Sequence, residues 1–167
     1  MTTPSPDYRL IPLTQGQFAK VSPRVFEALS IWKWCAHWSP TTQSYYAYRP
    51  TSSDGRNERV LMHREILGLA PGDPRKADHR DRDTLNNADE NLRIATTAEN
   101  AMNCKRYSNN KSGFKGVSLH KDSGRWQAAI RLKGKQKYLG LFSEPEAAYA
   151  AYCEASTMLH GEFGRRA

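Results

Sequence analysis

The segment Lys76–Asn103 sets an adjacent Asp78–His79 pair, then Asn91, then Asn100, among residues that favour turns. A histidine titrates near neutrality and is suited to take a proton from water. A carboxylate and an amide oxygen suit a hard cation such as Mg²⁺, which keeps several of its own waters and needs only one or two protein ligands. Together these groups fit metal-assisted hydrolysis, and in a basic chain the phosphodiester is the first bond to consider.

Such residues work only if the chain brings them together. Neighbours on a strand point to opposite faces, so Asp78 and His79 serve one site only where the strand twists or ends. The run Arg80-Asp81-Arg82-Asp83, with Asn86-Asn87 after it, supplies that end as a polar loop. Leu92–Ala95 then reads as the return strand. Thr96 or Thr97, with Glu99 or Asn100 three residues on, predicts a helix start that brings Asn100 back toward Asp78.

The ordered strings DH, LNN, ENLRIAT and EN resemble the HNH nucleases of phage and mobile-element type, built on a strand-loop-strand-helix ββα-metal finger. The resemblance implies a divalent metal, Mg²⁺ or alternatively Mn²⁺, on Asp78 and Asn100. It further implies His79 as general base and Asn91 as the residue that fixes either the histidine or the loop. The string VLMHREILG resembles the segment that precedes the finger in such proteins, where a short helix begins. Three roles for His63 stay open on that basis: a phosphate contact, a second metal ligand, or a helix-start histidine satisfied by local hydrogen bonds.

The chain has 167 residues, a net charge of +8 and three cysteines, with a mean hydropathy of −0.76. Positive charge on that scale makes polyanions the first partners to consider. No apolar run is long enough to span a bilayer, and MTTPSPDYRL lacks a charged-then-apolar leader, so a cytoplasmic protein with no membrane partner is expected. Cys35, Cys104 and Cys153 are odd in number and far apart, which predicts free thiols rather than a disulfide frame or a cysteine zinc site. Residues 1–70 hold eight basic and five acidic residues, 71–107 seven of each, and 108–167 ten and five. The neutral middle thus holds the candidate carboxylate and the flanks hold the surplus positive charge, as cutting DNA would require.

Residues 1–70 read as a small α+β region. Tyr8–Leu13 and Phe18–Val21 predict a hairpin around Gln15-Gly16, and Ser22-Pro23 an N-cap opening a helix over Pro23–Ile31. Val25, Phe26, Leu29 and Trp32 recur at helical spacing and read as core. Cys35–Trp38 and Ser44–Tyr48 predict a strand pair, Ser53-Asp54-Gly55-Arg56 a turn, and Glu58–Met62 a strand. Trp32, Trp34, Trp38, Tyr45, Tyr46 and Tyr48 have two readings, core or a base-stacking platform, and core is the commoner fate of aromatics at strand spacing.

Cys104–Ser112 is polar and basic and reads as a linker, with Lys105, Arg106 and Lys111 as either backbone contacts or solvated charges. Beyond it, Phe114–His120, Arg125–Leu132 and Lys137–Phe142 predict an antiparallel meander. A helix follows, with Ser143 as N-cap and Ala147, Ala148, Ala151, Tyr152 and Ala155 as its buried stripe. Between residues 111 and 143 stand eight Lys or Arg against Asp122 alone, so the uncovered sheet face is suited to the major groove. The pieces KGV, GRW, AAIR, YLGLF and EAAYAAY resemble the apetala/ethylene-response-factor-type DNA-binding domain, which also accompanies HNH nucleases in phages. By position the resemblance implies base contacts from Ser118, His120, Arg125, Arg131, Gln136 and Tyr138. Phosphate contacts would come from Lys115, Lys121, Lys133, Lys135 and Lys137. Trp126 is core or contact, Phe163 packs under the sheet, and His160 is structural. Because Ser118, His120, Gln136 and Tyr138 stand where plant members carry arginines and a tryptophan, the plant target sequence does not carry over.

The expected fold is α+β: a small mixed N-terminal region (1–70), a ββα-metal finger (74–106) completing an HNH domain over 1–107, a basic linker (108–112), and a three-stranded antiparallel sheet packed on one helix (113–167). The expected function is metal-dependent cleavage of double-stranded DNA by a nicking or homing-type endonuclease. The alternative is a DNA-binding regulator whose finger is purely structural. Monomer and dimer both stay open, since one site nicks one strand and a double-strand cut needs a dimer or a second pass.

Overall fold

The computed structural model describes residues 8–53, 56–104 and 110–164; the turn expected at Asp54-Gly55 and the linker contacts expected from Lys105 and Arg106 lie outside them. The chain divides into two compact units, Met1–Thr96 and Thr97–Ala167. The fold is α+β, with short helices and small sheets, and among the described residues no helix is long and apolar enough to cross a membrane. Cys35, Cys104 and Cys153 are free thiols.

In the first unit, β1 (Arg9–Pro12) and β2 (Phe18–Val21) form the expected hairpin, and α1 (Pro23–Ser30) follows. β3 (Cys35–Ser39), β4 (Ser44–Ser53) and β5 (Arg56–Leu61) make an antiparallel meander leading into the short helix α2 (Met62–Ile66). β6 (Lys76–His79), the two-residue β7 (Asn86–Asn87) and β8 (Leu92–Ala95) complete the unit. β6 pairs with β8, whereas β7 pairs in parallel with β2. A two-residue strand buried between polar turns has no periodicity to reveal it in sequence.

The core of this unit gathers Ile11, Ala19, Val21, Leu29, Trp34, Ala47 and Met62, with Val25 and Phe26 against it. Trp32, expected in this core, is instead 47% exposed, and Trp34 takes the place with its indole Nε1–H donated to Leu29 O at 2.8 Å. The reason is that α1 stops at Ser30, so the helical spacing that favoured Trp32 does not reach it. The Arg49 guanidinium lies 4.3 Å from the centre of the Trp32 ring. Ser22 is the N-cap residue of α1, but its hydroxyl serves another segment, accepting from Asp89 N at 2.8 Å. Together with the Arg24–Asp89 ion pair, this ties α1 to the turn that precedes β8.

In the second unit, α3 (Thr97–Asn103) is followed by β9 (Val117–His120), β10 (Arg125–Leu132) and β11 (Lys135–Phe142), with β10 central and both pairings antiparallel. α4 (Pro145–His160) covers one face of this sheet. Val117, Ala128 and Ala148 form one cluster, with Trp126 packed on it, and Ile130, Tyr152 and Cys153 form a second. Trp126 is therefore a core side chain.

Three details differ from expectation. β9 starts at Val117 rather than Phe114, because Gly113 and Gly116 take positive φ and turn the chain first. The N-cap of α4 is Glu144 rather than Ser143, since Pro145 occupies the first turn and holds its predecessor extended. The buried stripe runs through Ala148, Tyr152, Cys153, Ser156 and His160, leaving Ala147 exposed. Gly116 (φ +77°) lies so close to the Tyr152 ring and to Ala129 O that a Cβ would collide with both. His160 is structural as expected, its Nε2 lying 2.9 Å from Arg131 O and bridging α4 to β10.

Candidate active site

β6 and β8 carry the candidate residues in register: Asp78 faces Arg93 and His79 faces Leu92. Directly paired residues share a face and sequence neighbours alternate, so Asp78 and His79 leave the strand on opposite sides. Both are buried, each at 5% exposure. β6 ends at His79, and Arg82 then takes a positive φ of 67° in the loop that follows.

On one side, Arg93 Nε and Nη2 both lie 2.7 Å from Asp78 Oδ2, with each side chain 6% exposed. Two charges removed from water need such direct pairing to offset their desolvation. Arg93 sits inside the apolar-looking run Leu92–Ala95, and the sequence signal for its partnership is a charge at a strand position facing the Asp of β6.

On the other side, the His79 ring meets Asn87, which is fully buried in β7. Asn87 Nδ2–H donates to Leu85 O at 3.3 Å, which turns its Oδ1 toward His79 Nε2 at 3.1 Å. An amide oxygen only accepts, so Nε2 carries the proton and Nδ1 is the unprotonated nitrogen. Burial lowers the His79 pKa below its usual value, against the opposing pull of the Asn87 hydrogen bond and of Asp81, Asp78 and Asp83. The imidazole is thus neutral at physiological pH. Asn87, which orients it, carries only a turn-forming signal in the sequence.

His63, from α2, is 6% exposed and stacks edge-on to His79, with ring centres 5.1 Å apart at 73°. Its other neighbour is Tyr46, at 5.7 Å. Burial first, then the charges of His79 and Arg64, lower the His63 pKa to about 3. Its Nδ1 is a buried nitrogen with no hydrogen-bond partner, so the reading of a histidine satisfied by local hydrogen bonds does not hold for that atom.

Asn91 fixes the loop rather than the histidine. Its Nδ2–H donates to Asp81 Oδ1 at 2.9 Å and to Asn86 O at 2.7 Å, while its Oδ1 accepts from Asp81 N at 3.0 Å. Asp81 also accepts from Asp83 N and from Asn86 Nδ2, so one carboxylate gathers the whole excursion between β6 and β8. Asn100 lies on α3, which belongs to the second unit, and its carbonyl accepts from Cys104 Sγ.

Asp78 and Asn100 are oxygen donors of the kind a divalent cation takes. The Asp78 carboxylate is engaged by Arg93, and on the His79 side His63 Nδ1 is a buried nitrogen with no hydrogen-bond partner.

In the second unit, register places the expected base-contacting residues on one face. His120 faces Arg125, Ser118 faces Gln127, Tyr138 faces Ala129, and Gln136 faces Arg131. These pairs alternate with Val117, Ala128 and Ile130, which are buried, so they form the side of the sheet away from α4. Gln127 also belongs to that row, as its shared parity with Arg125 and Arg131 in the sequence implies. Arg125 Nη2–H donates to Leu141 O at 2.9 Å, and His120 Nδ1 lies 2.9 Å from Ser123 Oγ.

The lysines are distributed differently. Lys121 and Lys133 are exposed in turns. Lys137 faces Ile130 and Lys135 faces Leu132, which puts both on the face toward α4, at its exposed edge. Lys115 Nζ donates to the carbonyls of Ala101, Met102 and Cys104 and so closes the C-terminal end of α3, a structural task beside the expected phosphate contact.

Protein 3.8 of Escherichia phage T7 is 36% identical to this chain over 88 residues, which cover 53% of this chain and 72% of that protein. No family model matches the chain, and no solved structure matches it.

Proposed function

We propose that this chain, which belongs to the family of Protein 3.8 of Escherichia phage T7, is a divalent-metal-dependent endonuclease that hydrolyses phosphodiester bonds in double-stranded DNA. The observation that carries the reading is the buried His79, oriented through Nε2 by Asn87 and held neutral, immediately after the Asp78 carboxylate. His79 Nδ1 takes the proton from the attacking water. Asn87 and His63 keep the ring in place, and Asn91 keeps the loop around it closed through Asp81. Asp78 would hold Mg²⁺ or Mn²⁺, which when bound would supply charge to stabilise the leaving 3′ oxygen. The outer sheet face of the second unit, with Ser118, His120, Arg125, Gln127, Arg131, Gln136 and Tyr138, binds the duplex. This reading places the protein in the cytoplasm of a bacterial or phage-infected cell.

One observation favours a second reading. The Asp78–Arg93 pair, buried on both sides, is also what a purely structural finger would use, in a regulator that binds DNA without cutting it. Incubating supercoiled plasmid with Mg²⁺ or Mn²⁺ separates the two. The nuclease converts it to relaxed product and the His79→Ala variant does not, while still binding duplex; no relaxed product from the wild type rules the nuclease out.

A further inference from the structure

The sheet of β3, β4 and β5 has two faces of different character. Ala36 and Ala47 face each other on the side that joins the core, and Thr51 and Glu58 are on that same side. The other side carries, in cross-strand pairs, His37 with Tyr46, Cys35 with Tyr48, Tyr48 with Leu61, and Pro50 with Arg59. Glu58 is the single carboxylate in these three strands, so this outer side has none. His37 and Arg59 on it are exposed, and Tyr46 and Tyr48 are half-buried.

Rings on this face and beside it lie between Arg59 and the candidate base. Arg59 Cζ lies 5.2 Å from the Tyr48 ring centre, and Tyr48 is edge-on to His37 at 6.0 Å. His37 pairs across the strands with Tyr46, Tyr46 meets His63 at 5.7 Å, and His63 meets His79 at 5.1 Å. A strand surface with an arginine, a histidine and flat rings, and with no carboxylate among its described residues, matches a nucleic-acid strand, whose phosphates seek the arginine and whose sugars and bases lie on the rings. An apolar partner would not use Arg59 or His37, and a cationic partner would be repelled by Arg59.

We propose that the outer face of β3–β5 is a second DNA-binding surface, which holds the nucleotides flanking the phosphate attacked by the water that His79 deprotonates. Arg59 and His37 contact phosphates, and Tyr48 and Tyr46 contact sugar and base. The surface rests on the nuclease reading for its relation to the cut, and on its own chemistry for binding.

The test measures fluorescence anisotropy of a labelled duplex with the full chain carrying His79→Ala, across a salt series. In that background Arg59→Ala weakens binding several-fold and lowers the salt slope by about one. Tyr48→Ala weakens binding with the slope unchanged, and Glu58→Ala, on the other face, binds like the parent. Parent-like affinity and slope in both Arg59→Ala and Tyr48→Ala overturn the proposal. Photo-crosslinking of the same protein to duplexes carrying bromodeoxyuridine at successive positions gives a readout that needs no further variant. Crosslinked peptides from β3–β5 support the surface, and crosslinks confined to β9–β11 overturn it. If these binding effects appear while the wild type leaves plasmid supercoiled, the surface stands and the nuclease reading falls. If the wild type nicks and the effects are absent, the surface falls alone.

Discussion

The finger strands of the first unit and the sheet of the second use polar residues in opposite ways. Around β6 and β8, His63, Asp78, His79, Asn87, Asn91 and Arg93 are all buried, at 7% exposure or less. On β9–β11, Ser118, Arg125, Arg131, Gln136 and Tyr138 stand exposed on a face whose reverse is packed on α4. Buried polar groups must be satisfied by one another, so each fixes the position of the next. Exposed ones remain solvated until a partner arrives. The first arrangement suits chemistry that depends on geometry, and the second suits recognition that depends on charge.

The comparison is broken most severely by removing one member of a buried pair. Arg93→Ala leaves the Asp78 carboxylate buried without its guanidinium and is expected to cost about 3–5 kcal/mol in urea denaturation. The double variant Asp78→Leu/Arg93→Met is expected to cost much less than the sum of its singles, and a full additive loss would mean the pair is not the stabilising contact. In the second unit, the equivalent weak point is apolar. Gly116→Ala meets the Tyr152 ring at a positive φ and is expected to cost about 1–3 kcal/mol, read as an earlier unfolding transition with weakened duplex binding.

A smaller effect separates the regions by pH. In the unfolded chain His63 titrates near 6.5, whereas in the fold it does so at about 3. Between those values the unfolded chain binds the additional proton, so stability is complete above pH 6.5 and declines as the pH falls from there toward 3. His63→Gln removes this contribution, and its melting temperature should fall less steeply than the wild type's between pH 7 and about pH 4.5; parallel curves would assign the acid sensitivity elsewhere. The smallest expected change is Arg131→Ala, which lowers duplex affinity several-fold and the salt slope by about one without altering stability. Its backbone carbonyl, which holds His160, is unaffected by the substitution. Asp78→Ala should leave duplex binding largely intact, and equal losses from the two variants would show that the units do not divide the work.

Much of this arrangement was readable before folding. The alternation of Arg125–Leu132 placed an arginine row opposite an apolar row, because strand neighbours must point to opposite sides. The hairpin of β1 and β2 and the return strand β8 followed from apolar runs bounded by turn residues. Trp32 and Trp34 could not be told apart that way, since their fates depend on where α1 stops. Lys115 reads as a solvated cation in the sequence and is engaged at the end of α3 in the fold.

By itself, then, the sequence determined which side chains are available and which strands carry them: Asp78 and His79 at the end of one strand, a basic sheet beyond residue 113, and free cysteines throughout. Only the tertiary structure decided partners, because those come from segments far apart in the chain. It gave Asn87 rather than Asn91 to His79, Arg93 to Asp78, and His63 from α2 to the edge of the His79 ring. Local spacing controls the direction in which a side chain leaves the backbone, whereas what it meets there depends on packing between distant segments, which no single window of sequence contains.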